Sequence, residues 1–135
     1  MPNTVDGAKI INAFYFGPVL VYEGKVIENV ILNSVVDKVM AGNERKQRMA
    51  LCQVGPLEYK CICCAGPTHG NKGMTLQQFA DFVGEQGVQT AYNLDGGDST
   101  MLIFNYKKQN NVRSTSTRKI VDIIYFASTW DKGGN

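Results

Sequence analysis

The sequence predicts an α+β fold, a mixed but largely antiparallel β-sheet with one main helix packed on it. Three observations support this. Short β-rich runs are joined by Gly- and Pro-containing turns of hairpin length. A single segment, Thr75 to Gln86, carries helical periodicity behind a capping signal. The 135 residues, 44% hydrophobic and 19% charged, suit one domain with one modest core and exclude intrinsic disorder.

In chain order, Ile10 to Phe16 and Val19 to Tyr22 read as two strands separated by Gly17-Pro18. Glu23-Gly24-Lys25 then suits a tight hairpin into Val26-Ile27, with glycine supplying a positive φ. Asn29 to Gln47 reads as a strand end followed by an exposed loop. Arg48 to Val54 and Tyr59 to Cys64 flank Gly55-Pro56-Leu57-Glu58 as a hairpin. With a symmetric four-residue loop, Cys52 faces Cys61 and Ala50 faces Cys63, with Arg48 on the same face. Both faces are largely apolar, so this hairpin is expected in the middle of a covered sheet.

Thr75 and Gln78 have capping-box spacing, and Leu76, Phe79, Ala80 and Val83 form one apolar stripe; Gly87 is the stop. A strand restarts near Thr90 and runs into Asn93-Leu94-Asp95-Gly96-Gly97-Asp98-Ser99-Thr100. Met101 to Phe104 resumes β character, and Ile120 to Phe126 reads as a closing strand, with 131–135 a frayed tail of the single domain 1–135.

Fourteen Lys and Arg against twelve Asp and Glu give a charge of +2, too small to indicate a nucleic acid or a membrane surface as partner. No apolar run approaches the roughly 18 to 20 residues of a membrane span. The opening Met-Pro-Asn-Thr-Val-Asp-Gly lacks the basic and apolar regions of an export signal.

Chemistry concentrates at residues 93–100, where acids, hydroxyls and bare backbone meet between two strands. Asp95 and Asp98 are candidates for nucleophile, base or hard-cation ligand, and Gly96-Gly97 allow close approach of a ligand to the backbone. A polar turn that satisfies its own amides is the alternative. The EF-hand and P-loop patterns are absent, which leaves a weak Ca²⁺ or Mg²⁺ site as the remaining cofactor option. Cysteines 52, 61, 63 and 64 do not have zinc-ligand spacing, and buried free thiols suit them better, with a Cys52–Cys61 cross-strand disulfide open in an oxidising compartment. His69, the single histidine, is a candidate acid or base or else an exposed loop residue. A Ser99-His69-carboxylate triad lacks the G-x-S-x-G elbow. Arg48 and Arg118 each border an apolar strand and are candidate phosphate clamps or surface ion pairs.

Together Phe16 to Lys25, Gly73-Met74-Thr75-Leu76 and Asn93 to Thr100 resemble the phosphodiester glycosidase family in order and spacing over about residues 12 to 127. The Asn-Leu-Asp-Gly-Gly segment after a helix is the most specific part. Arg48 matches the arginine of the family's Pro-Arg-Thr-Ala strand, though its neighbours Gln47 and Met49 differ, and Arg118 resembles the arginine before the last strand. Asp98 stands at the usual third glycine, and Ala65 where many members carry Asp. An upstream Asn-Gly-Gly-aromatic segment has no counterpart in Met1 to Asn12, so the chain resembles the C-terminal portion of the family domain. The resemblance thus implies a homo-oligomer or a missing upstream segment, and an exposed apolar sheet edge.

The resemblance implies hydrolysis of a sugar-1-phosphodiester at the anomeric carbon, on a carbohydrate or sugar-phosphate ligand of glycan or envelope polysaccharide type. It places Asp95 as nucleophile or base, Arg48 and His69 in catalytic support, and Asn93, Gly96, Gly97, Asp98, Ser99, Thr100 and Arg118 around the substrate. A cell-envelope or secreted location follows from the same likeness. A carbohydrate- or phosphate-binding module without turnover and a structural fragment are the rival readings.

Overall fold

The computed structural model describes residues 4–5, 7–10, 13–31, 42–66, 72–110 and 118–127. Strands β1 (Thr4–Val5) and β2 (Ala8–Lys9) pair with each other. The main sheet takes β3 (Val19–Tyr22), β4 (Lys25–Val26), β5 (Arg48–Gly55), β6 (Glu58–Cys64) and β7 (Thr90–Leu94) in the order β4-β3-β7-β5-β6. Helix α1 (Leu76–Gly84) precedes β7, and β8 (Ile103–Phe104) pairs with β9 (Lys107–Lys108) beyond a short 3₁₀ turn at Gly97–Ser99. All the described ladders are antiparallel. The order matters for function: β7 is inserted between β3 and β5, so the segment after Leu94 leaves from the centre of the sheet.

The β3–β4 hairpin closes through Glu23 and Gly24, both with positive φ, the pairing whose twist matches flanking strands. Helix α1 begins as expected, with the Thr75 hydroxyl accepting from the Gln78 N–H and the Gln78 side chain accepting from the Thr75 N–H. Its Leu76, Phe79, Ala80 and Val83 are buried with Leu20, Val21, Val30, Ala50, Cys52, Val88 and Ala91. Burying Leu76, Phe79 and Val83 alone stabilises the helix on the sheet by roughly 5 to 8 kcal/mol before ordering costs.

The β5–β6 hairpin differs from the symmetric expectation. Pro56 and Leu57, the latter at φ 59, close a two-residue loop with Gly55 opposite Glu58, and Val54 is bulged out before Gln53 meets Tyr59. Every pair beyond is therefore shifted by one. Cys52 lies opposite Lys60, and Cys61 opposite Leu51, which removes the Cys52–Cys61 disulfide; all four cysteines are free. Arg48, Ala50 and Cys52 share the helix-facing side with Cys64 and Ile62 rather than with Cys61 and Cys63. Nor is the hairpin central: β6 is an edge strand, and Cys61 is exposed rather than buried.

Two other expected strands are not formed. Residues 13–18 are irregular because the backbone there is drawn into contacts with Tyr92 and Asn93. The stretch 120–126 has no ladder partner among the described residues and stands exposed, from 37% at Ile124 to full exposure at Val121. Residues 32–41, within the loop expected after Asn29, and the tail 131–135 lie outside the described residues. Among the described residues no helix is long and apolar enough to cross a membrane.

Candidate functional site

The site begins where β7 ends. Asn93 is buried, 2% exposed, and grips the Gly17-Pro18 turn three ways: its N–H donates to Pro18 O at 3.0 Å, its carbonyl accepts from Gly17 N at 3.2 Å, and Nδ2 donates to Gly17 O at 2.9 Å. Tyr92 adds a hydroxyl that accepts from Phe16 N at 3.0 Å. The Gly-Pro segment and the Asn-Leu-Asp segment, remote in sequence, are thus one structural unit. Asn93 holds the strand end and does not line an open surface.

Beyond Leu94, which pairs with Met49, the chain turns against Gln47. The Gly97 N–H donates to Gln47 O at 3.0 Å, and Gln47 Nε2 donates back to Gly97 O at 3.1 Å. Gly96 lies so close that an added Cβ would stand 2.7 Å from Gln47 O, while Gly97 takes φ +57. The turn closes through Ser99 N–H to Gly96 O at 3.2 Å and Thr100 N–H to Gly97 O at 3.1 Å. Asn110 secures it from behind, with Nδ2 donating to Gln47 Oε1 and to Thr100 O, both at 2.8 Å, and Oδ1 accepting from Leu102 N at 2.8 Å.

This framework presents Asp95 with its side chain 48% exposed, and Arg118, whose side chain is 68% exposed, brings Nη1 to 3.9 Å from Oδ2. An exposed pair at that distance contributes about 0 to 1 kcal/mol, so its use is to set charge rather than stability. Asp98 is exposed on the 3₁₀ turn. Among the described residues Ser99 Oγ, Thr100 Oγ1 and Asn93 Oδ1 are buried without a hydrogen-bond partner, a condition that few polar atoms tolerate.

Two residues expected around the ligand make their described contacts within the protein. Arg48 is 3% exposed, and its guanidinium donates from Nε to Met74 O at 3.2 Å and from Nη2 to Glu44 O at 2.8 Å. Its stem runs behind Gly96. Buried and engaged with these carbonyls, it ties the start of β5 to the residues just before it and just before α1, whereas Arg118 is exposed beside Asp95. Burial lowers the Arg48 pKa, an effect that the neighbouring Cys64 and Glu44 oppose. At Gly96-Gly97, where the sequence allows a ligand close to the backbone, the Gly97 N–H donates to Gln47 O. His69 lies outside the described residues.

A cleft of about 320 Å³ lies elsewhere, at the start of α1, between Arg45, Cys63, Cys64, Ala65, Lys72 and Met74. It includes no residue of 93–100. Among its described lining residues none is acidic, and burial pushes the Cys63 thiol up to about 11 and raises that of Cys64, which Arg48 and Arg45 oppose. Among the described residues no three His, Cys, Asp or Glu side chains are grouped to hold a metal ion. Asp95 and Asp98 alone would be the donors for a weak Ca²⁺ or Mg²⁺ site.

Sequence inspection missed Gln47 and Asn110. Both are polar residues in polar surroundings, and nothing in period or composition distinguishes a buried amide there from a solvated one. The only signal was position, since Gln47 directly precedes Arg48 and the strand.

The geometry can now be set beside known proteins. A family model described as phosphodiester glycosidase matches residues 2–127. Among solved structures, a hypothetical protein from Synechocystis superposes with a TM-score of 0.56 at 25% identity, over 71% of this chain and 17% of that one. The chain therefore spans about a sixth of that protein's length. No curated protein matches the chain. With the matched residues running from the first strands through the Asp95 turn to Arg118 and the stretch beyond it, the chain belongs to the phosphodiester glycosidase family.

Proposed function

We propose that the chain hydrolyses a sugar-1-phosphodiester at the anomeric carbon, with Asp95 as the reacting carboxylate. The observation that carries this is the placement of Asp95: an exposed acid at the end of a central strand, on a turn fixed by buried amides, with a guanidinium 3.9 Å away. A phosphate monoester has a second pKa near 6 and leaves with little need of a general acid. What the reaction requires is a carboxylate against an oxocarbenium-like carbon and a cation for the departing phosphate. Asp95 attacks or activates water, and Arg118 receives the phosphate side. Asp98 lies at the rim, and the buried Ser99 Oγ lies beneath the turn. Arg48 supports the turn from inside, and His69 is retained for proton transfer. A glycan or envelope polysaccharide substrate, and a cell-envelope or secreted setting, fit this chemistry.

A binding module without turnover is the second reading, favoured by the engagement of Arg48 with backbone carbonyls and by Ala65 at a position where many members carry Asp. The test is turnover of a UDP-sugar by the chain and by Asp95→Asn, which keeps size but removes the charge. The expected fall in kcat/KM is at least about a hundredfold with folding unchanged. Binding with no hydrolysis by the wild type would select the second reading, and equal kcat/KM for the variant would remove Asp95 from the reaction.

A further inference from the structure

Strand alternation alone would turn Asp95 inward. On β7 the residues Ala91 and Asn93 are buried on the helix side, and Asp95 is the next position of that period. Its exposure comes from an offset in pairing. Leu94 is fixed opposite Met49, and Gly97 is fixed to Gln47, so Asp95 and Gly96 together span the place of one residue, Arg48, on the neighbouring strand. Two residues against one is the arrangement of a β-bulge, which re-aims a side chain.

The far anchor of this offset is Gln47, 1% exposed, which holds both polar backbone groups of Gly97 at once: N–H through its own carbonyl and C=O through Nε2. Its remaining acceptor Oε1 is taken by Asn110 Nδ2, whose other contacts fix Thr100 O and Leu102 N. Every side-chain polar atom of both amides has a hydrogen-bond partner, and both residues are buried.

We propose that Gln47 and Asn110 are positioning residues for Asp95, an amide pair that holds the two-for-one offset and so keeps the carboxylate aimed outward. This rests on the assignment of Asp95 as the reacting group. The pair touches no substrate; it acts through the geometry of the turn. The groups recorded against the Gln47 side chain are the Gly97 carbonyl, the Asn110 amide and the Gly66 backbone, none charged; the flanking cations are Lys46 and Arg48.

Gln47→Glu tests this in the full chain, because it keeps shape and the acceptor for Asn110 but puts an oxygen against Gly97 O. At neutral pH two acceptors then face each other, and on protonation the carboxylic acid donates again. With UDP-N-acetylglucosamine as the probe, kcat is expected to fall about tenfold or more near pH 7.5 with KM within about twofold. Activity relative to wild type should recover as the pH falls toward 5, whereas Gln47→Met should show the fall without recovery. Amide hydrogen exchange at Gly97 and Thr100 should quicken at least about tenfold in both variants near neutral pH. Should Gln47→Met fail to fold, Asn110→Ser, which loses the donor to Gln47, takes its place. Faster exchange with unchanged kcat would overturn the positioning role, as would unchanged exchange. If the wild type does not turn over the probe, the activity proposed above fails. The pair is then decided by exchange together with the Asp95 carboxyl ¹³C shift, an unmoved shift overturning it.

Discussion

Gly96 and Gly97 are adjacent glycines needed for different reasons, and exchanging each for alanine separates them. At Gly96 the obstacle is space: a Cβ would meet Gln47 O at 2.7 Å and lie 3.9 Å from Arg48 Cδ. To reach ordinary contact the turn must move away by roughly half an ångström or more, which strains a packed region at about 1 to 3 kcal/mol. The same movement stretches the 3.0 Å bond from Gly97 N to Gln47 O, worth about 1 kcal/mol. Gly96→Ala should therefore cost about 2 to 4 kcal/mol. At Gly97 the space around a Cβ is open, and the obstacle is φ +57, which costs an L-residue about 1 to 2 kcal/mol and asparagine less. Urea unfolding followed by circular dichroism measures both; with m of about 2 kcal/mol/M, the midpoint should fall by about 1 to 2 M for Gly96→Ala and by half that or less for Gly97→Ala. Gly97→Asn should lie nearer to wild type than Gly97→Ala. A Gly96→Ala chain as stable as wild type, or less affected than Gly97→Ala, would refute the close approach of the turn to Gln47.

Other perturbations give smaller or more local outcomes. Thr75→Ala removes the hydroxyl that accepts from Gln78 N at 3.2 Å and should cost about 0.5 to 2 kcal/mol in thermal unfolding. Arg48→Met removes its N–H donors from the part-buried carbonyls of Glu44 and Met74, the latter keeping the Lys46 N–H, and should cost about 1 to 3 kcal/mol. Arg118→Gln, by contrast, should change stability by less than about 0.5 kcal/mol while weakening kcat/KM for the UDP-sugar. Burial pushes the Cys52 thiol up to about 11, with Cys61 adding to the rise and Lys60 opposing it. Because that thiolate forms more readily in the unfolded chain, the stability it supplies is complete below the ordinary thiol value of about 8.5 and is lost as pH rises toward 11. The melting temperature should fall by several degrees between pH 8 and 11, and Cys52→Ala should flatten that decline.

The fold was legible where a local signal agrees with tertiary packing. The α1 cap, its apolar stripe and the left-handed Gly87 are contiguous features, and so is the Glu23-Gly24 turn. The β5–β6 register was not legible, because a Pro-Leu loop followed by a bulge at Val54 and a four-residue symmetric loop have the same length in sequence and differ by one residue in every pair. The stretch 120–126 shows a second limit: β propensity measures fit to a half-buried surface, and without a partner strand among the described residues the segment stays exposed. The polar turn that carries Asp95 was legible from its glycines, but the burial of Arg48 was not. An arginine beside an apolar strand has the same sequence signature whether its guanidinium faces a phosphate or two backbone carbonyls.

Asp98 and Ala65, the two positions where the chain departs from the pattern it resembles, change charge at two separate places. Asp98 replaces a usual glycine, yet it is exposed on the 3₁₀ turn, so its carboxylate needs no buried partner and adds a second negative charge three residues from Asp95. Arg118 is the cation at hand to offset it. Ala65, where the resemblance expects Asp, lies on the other side, in a cleft with Arg45 and Lys72 and no acid among its described lining residues. The two changes act in opposite senses at two places on the surface, the Asp95 turn becoming more negative and the cleft more positive. Arg118→Gln therefore leaves the Asp95 and Asp98 carboxylates without the cation that stands 3.9 Å from Asp95, while the charges of the cleft, which shares no residue with the turn, stay as they are.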